Sequence, residues 1–178
     1  QESLQYPSLN IRGLQSGWVG DEVRTIIPST AIAEIDVRLV LESNPQKLMK
    51  SIQNHIISLG YTILESNPTD QERLKYEKII QMNYRVSYPA FRTPVNSPEG
   101  KWLKNVLQQY YSTSPVLIRT SGGSVPISPF VNNLGIPSIG IPTVNLDNNQ
   151  HSPNENLRLG NYFQGIETFV SILLENYK

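Results

Sequence analysis

The stretch AIAEIDVRLVLESNPQKLMKSIQNHIISLGYTIL, residues 31–64, sets the architecture of the first half of the chain. It opens with alternation: Ile32, Ile35, Val37 and Leu39 are apolar, while Glu34, Asp36 and Arg38 interleave. That period of two predicts a strand over residues 31–41. A helix follows with punctuation at both ends. Asn44 suits the N-cap, Pro45 the first helical position and Gly60 the position just past the end. Between them Leu48, Ile52, Ile56 and Leu59 recur at helical spacing. Residues 61–64 then read as a strand.

Before this stretch, residues 8–14 alternate as a strand and residues 17–22 form a turn. Thr25-Ile26-Ile27-Pro28 is an extended run closed by proline. Strand, strand, helix and strand in this order match a split βαβ unit, a ferredoxin-like layer without its first strand and helix. Downstream, residues 67–70 read as loop, and residues 75–89 are ambiguous, with Ile79, Ile80, Val86 and Tyr88 suggesting a strand for their later half. Residues 91–97 read as a crossing segment. Ser97, Pro98 and Glu99 start a second helix with Trp102, Leu103, Val106 and Tyr110 on its apolar face.

The remainder reads as strand, turn, helix, strand, loop and helix. Val116-Leu117-Ile118 is a short apolar strand broken by Gly122-Gly123. Residues 136–144 form a second, kinked by Pro137 and Pro142. A polar loop over residues 145–150 leads to a closing helix over residues 161–177. Such alternation argues for an α/β layer. The expected organisation is α/β with α+β: one unit over residues 1–93 and another over residues 94–178.

Composition removes several function classes. Fifteen basic and 15 acidic residues leave a net charge of +0. This gives no support to nucleic-acid or acidic-membrane binding. With Cys 0, disulfides, thiolate nucleophiles and thiolate metal sites are excluded, so any metal must use His, Asp or Glu. The longest apolar runs, residues 136–144 and 169–174, are too short to span a bilayer. The chain opens with Gln1 and lacks a signal-peptide pattern, so it reads as a piece of a longer protein. Its compartment is left open.

Three stretches carry a family resemblance. Thr25-Ile26-Ile27-Pro28 with Ala33 and Asp36-Val37-Arg38 resembles the lid-domain pattern of the carnosinase and aminoacylase superfamily of dinuclear-zinc exopeptidases. Gly122-Gly123-Ser124-Val125-Pro126 resembles the Gly-Gly-Ser-x-Pro turn of its carnosinase-like branch. His151-Ser152-Pro153-Asn154-Glu155 resembles its His-Ser-x-Asn-Glu motif. Order and spacing agree along nearly the whole chain. The resemblance implies part of a ferredoxin-like lid, which also makes a homodimer. The C-terminal half of an α/β zinc-exopeptidase catalytic domain follows it. It also implies two zinc ions in the full-length protein. The His-x-Asp pair, the bridging Asp, the Glu-Glu pair and the lid histidine all lie upstream of this chain. No catalytic residue is therefore expected within it, and the chain alone is expected to be inactive and to hold little or no zinc.

Among its own residues, His151 is the candidate metal ligand: neutral imidazole is a good zinc donor, and the loop is polar. A solvated loop histidine is the plain alternative. Ser152 and Glu155 have the spacing of a capping box, and the resemblance makes them supports of His151. Gly122, Gly123 and Ser124 offer backbone N–H groups and a hydroxyl to a substrate carboxylate. Arg119 offers a bidentate fork. The family places its Arg two positions before the first Gly, where this chain has Thr120. Asn145, six residues before His151, is the candidate polar substrate contact. His55 reads as a partly buried histidine at the edge of the first helix's apolar face.

The implied function is metal-dependent hydrolysis of a small peptide or N-acyl amino acid by zinc-activated water, of dipeptidase or carboxypeptidase type. The competing reading is a non-catalytic ferredoxin-like dimerisation or small-ligand module. A His-x-Asp and a Glu-Glu pair upstream of Gln1 discriminate the two.

Overall fold

A computed structural model describes residues 2–177. The chain divides into two compact units, Glu2–Ala90 and a second from Phe91 onward. The first holds strands β1 (Ser8–Ser16) and β2 (Ala31–Arg38), helix α1 (Pro45–Ser58), β3 (Thr62–Leu64), helix α2 (Asp70–Lys75) and β4 (Ile79–Gln81). Short 3-10 turns at Glu2–Gln5 and Gly20–Glu22 accompany them. The second unit holds helices α3 (Pro98–Tyr111), α4 (Ser128–Leu134) and α5 (Leu159–Leu174).

β1 and β2 form an antiparallel ribbon whose register explains its sequence. Leu9 faces Val37 and Ile11 faces Ile35; a bulge then shifts the pairing, and Leu14 faces Ala33. Side chains alternate between faces, so without the bulge Leu14 would fall opposite Leu9 and Ile11. The extra residue restores the phase and gathers Leu9, Ile11 and Leu14 with Ala33, Ile35 and Val37 on one face. All but Val37 of these are exposed.

α1 starts as its sequence dictates. The Asn44 side chain accepts the Lys47 N–H at 2.8 Å, Pro45 opens the helix, and Gly60 takes φ +88° just past its end. Leu48, Ile52 and Ile56 are half-buried, and the helix packs on β3. β3 pairs in parallel with β4, apart from the β1–β2 ribbon. The unit is thus mixed α/β with small sheets. β4 takes in Ile79 and Ile80 at residues 79–81, in the earlier half of the ambiguous segment, and among the described residues no strand forms around Val86 and Tyr88. Helix α2 occupies residues that the sequence left as loop and ambiguous chain, because Thr69 and Glu72 cap it reciprocally.

In the second unit, Ser97 caps α3 by accepting the Gly100 N–H at 3.1 Å. α3 packs on α5: Leu103 and Val106 are buried, Tyr110 donates to Glu167 at 2.7 Å, and Tyr111 and Thr168 share a hydrogen bond. The Trp102 ring meets Tyr177 edge-on at 5.4 Å, and its Nε1 donates to Asn176 O at 3.1 Å. The strands expected at residues 116–118 and 136–144 form no ladder among the described residues. Pro115, Pro137 and Pro142 each remove a backbone donor there. At Ser138 a side chain replaces the missing strand partner: the Thr93 hydroxyl donates to Ser138 O at 2.7 Å and accepts its N–H at 2.9 Å.

The chain exposes 14404 Å². A compact chain of this mass would expose roughly 8,700 Å², and two separate compact halves about 10,500 Å². Much of the excess is apolar. α5 is apolar on nearly every side, yet Phe163, Ile166, Phe169, Val170, Leu173 and Leu174 are all exposed. Such a helix belongs in the core of a larger body. The isolated chain is therefore expected to self-associate at micromolar concentration. Light scattering checks this, and a clean monomer at high concentration would contradict it.

Candidate metal and substrate site

The segment carrying the candidate ligand is organised by one buried amide. Asn145 is 5% exposed. Its Nδ2 donates to Asp147 Oδ1 at 2.9 Å and to Asn156 Oδ1 at 3.2 Å; its Oδ1 accepts the Arg158 backbone N–H at 3.1 Å. These bonds draw the two ends of residues 145–158 together. Further bonds fix the interior: Asn156 N–H to Asn148 O at 2.9 Å, Gln150 N–H to Asn148 Oδ1 at 3.1 Å, and Ser152 N–H to Asn149 O at 3.1 Å. The Asn149 amide also donates to Pro153 O.

Within this closed segment the backbone turns left-handed three times, at Asn149 (φ 54°), His151 (φ 64°) and Asn154 (φ 63°). Asn and His are both enriched in that region relative to other non-glycine residues. The His151 side chain is exposed, and its ring has no hydrogen-bond partner among the described residues. Arg158 pairs with Asp147. The Asp147 carboxyl is held below its usual range by the Asn145 amide first, then by its own backbone N–H and the Arg158 charge. Val144, Asn145, Leu146, Asp147, Arg158 and Asn161 line an open depression of about 450 Å³ beside the segment.

Ser152 and Glu155 do not form the expected capping box. The box needs helical backbone after its first residue, and Asn154 is left-handed. The helix begins only at Leu159, with Arg158 as its N-cap and no side-chain cap bond. His55 lies on α1 and is exposed, not partly buried.

Arg119, Gly122, Gly123 and Ser124 lie on the separate segment between α3 and α4, and all are exposed. Gly123 has no left-handed backbone, and an added Cβ there would meet nothing within 4 Å. The chain's own packing therefore gives no reason for a glycine at 123; it leaves open space beside the backbone.

The donor set bears on metal binding. An exposed imidazole without an internal partner, fixed on a braced loop, fits one ligand position. Among the described residues no three His, Cys, Asp or Glu side chains group to hold an ion. Catalytic zinc takes about three protein ligands, so these residues do not close a site. Sequence reading missed Asp147, Asn156 and Arg158 as parts of the arrangement. The density of Asn and Asp marked only a loop, and a side-chain bond to a backbone group thirteen residues away leaves no local pattern.

Residues 1–62 match the family model described as the peptidase dimerisation domain. Over 95% of its length the chain is 28% identical to a Cys-Gly metallodipeptidase of Candida albicans, covering 33% of that protein. Over 96% it is 24% identical to the human Beta-Ala-His dipeptidase, covering 32%. Among solved structures it is similar to an M20 family metallo-carboxypeptidase from Sulfolobus solfataricus, at 28% identity and TM-score 0.66, over 96% of this chain and 36% of that one. It shares its fold with a dipeptidase from Saccharomyces cerevisiae, at 22% identity and TM-score 0.67, over 97% and 34%. The chain thus spans about a third of the length of the curated relatives it matches. Along nearly its whole length the chain is similar in sequence and fold to M20 metallopeptidases, and its first 62 residues match the peptidase dimerisation domain.

Proposed function

We propose that the full-length protein is a two-zinc hydrolase of dipeptidase or carboxypeptidase type, cleaving a small peptide or N-acyl amino acid. The observation that carries this reading is the His151 imidazole: exposed, without a hydrogen-bond partner among the described residues, and carried on a closed loop. It would hold one zinc ion. Bound zinc activates a water and polarises a carbonyl. The remaining ligands and the proton-moving carboxylate would come from residues upstream. The relatives named as dipeptidases and a carboxypeptidase support the reaction type.

This chain's own part is binding and orientation. Ser152 and Glu155 flank the ligand within the closed loop. Arg119 would pair with the substrate carboxylate through its guanidinium, with the Ser124 hydroxyl and the N–H groups of Gly122 and Gly123 completing the cradle. The open space at Gly123 lets a substrate approach the backbone there. Residues 1–93 would act as the lid and the homodimer contact, and residues 94–178 as the returning half of the catalytic domain. The excess apolar surface, α5 above all, supports a missing half that covers it.

The test uses the full-length protein, with a dipeptide and its C-terminal amide as substrates. The free carboxylate should be preferred. Arg119→Ala should raise KM for the free acid about tenfold, a loss of roughly 1.4 kcal/mol, with kcat little changed and the preference reduced. Equal use of acid and amide by the wild type would contradict carboxylate recognition.

A further inference from the structure

We infer that Asn145 is a positioning residue for His151, and not a substrate contact. The inference rests on the reading of His151 as a metal ligand. Every donor of the Asn145 amide is used inside the loop. Its two N–H groups go to Asp147 and Asn156, and its oxygen takes the Arg158 N–H. At 5% exposed, it has no donor left to offer a substrate, although it lines the neighbouring depression.

What those bonds do follows from chain geometry. Asn145 stands at the start of the segment and Arg158 at its end, where α5 begins. One amide therefore ties the departure of the loop to the first turn of a helix. His151 lies between, left-handed and without a hydrogen bond of its own among the described residues. Its placement is thus imposed by neighbours, and the amide that closes the loop is the most buried of them. A metal ligand needs its approach direction fixed, and outer groups supply that orientation. Asp147 and Arg158 reinforce the closure by their ion pair, but both are largely exposed, so solvent screens them.

The experiment compares full-length wild type, Asn145→Ala, Asn145→Asp and His151→Ala. Zinc affinity is read by competition with a chromophoric chelator, kcat and KM on one dipeptide, and hydrogen exchange at the backbone amides of Asn156 and Arg158. Asn145→Ala should weaken one zinc about 10–100-fold. It should lower kcat with KM nearly unchanged, and excess zinc should restore kcat. Exchange at Arg158 should accelerate. Asn145→Asp keeps the acceptor for the Arg158 N–H and should fall between Ala and wild type. A raised KM with zinc affinity intact would make Asn145 a substrate contact and overturn the inference. Unchanged exchange at Arg158 would overturn it independently of any metal. If His151→Ala leaves zinc binding intact while Arg158 exchange accelerates in Asn145→Ala, the ligand reading fails and the closing role of Asn145 stands.

Discussion

Replacing His151 with Ala in the full-length protein is expected to remove one of two metal ions and to lower turnover by about 10³-fold or more. Losing a ligand changes both charge and geometry at the reacting water, and a metal ion contributes several kcal/mol of transition-state stabilisation. The structure makes this variant unusually easy to interpret. The His151 ring is exposed and bonds to nothing among the described residues, so its removal breaks no packing. The loop is held by Asn145, Asn148, Asn149 and Asn156, none of which the substitution touches. The melting temperature of the metal-free protein should therefore stay within a degree or two of wild type, while metal content falls. His55→Ala, on the exposed side of α1, is the companion control and should keep full metal content and near-normal turnover. Metal content and dipeptide hydrolysis of the three proteins, measured side by side, check the expectation.

Gly100→Ala is expected to destabilise the second unit by about 2–3 kcal/mol. Two effects oppose each other. Alanine is favoured over glycine inside a helix by about 1 kcal/mol. At this position, however, its Cβ would lie 2.5 Å from Val95 O, 3.0 Å from Val95 C and 3.2 Å from Pro94 O. Those are backbone atoms and cannot rotate away. The entry to α3 must shift, and with it the bond from Gly100 N–H to Ser97 Oγ, which contributes about another 1 kcal/mol as a cap. The clash outweighs the propensity gain. Gly123→Ala is the contrasting substitution: ordinary backbone and open space leave stability unchanged. Denaturant unfolding of both variants decides the matter, and equal midpoints would contradict the packing account.

The helix starts at α1 and α3 were legible because each is written in a few adjacent residues: Asn44-Pro45 and Ser97-Pro98. The bulge in β1 was not legible, since nothing in the alternation of residues 8–14 says that Leu14 joins Leu9 and Ile11; only pairing with β2 decides it. The Ser/Thr-x-x-Glu spacing shows the limit of a local pattern. At Thr69 and Glu72 it caps a helix. At Ser152 and Glu155 the same spacing sits across a left-handed residue and caps nothing. The apolar runs at residues 116–118 and 136–144 have strand composition, but a strand exists only through its neighbour, and prolines remove donors at both. In the site, His151 and its motif were visible as sequence. The closure by Asn145 onto Arg158 was not, because it joins residues far apart along the chain.

Zinc stoichiometry and dipeptide hydrolysis, measured on the full-length protein and on the 178-residue chain alone, decide whether the protein is a metal-dependent hydrolase. Two zinc ions and chelator-sensitive hydrolysis are expected of the full-length protein. Zinc binding no tighter than that of an exposed histidine, and no turnover, are expected of the chain alone. A full-length protein that binds no zinc and hydrolyses no dipeptide would contradict the hydrolase reading and favour a non-catalytic dimerisation module.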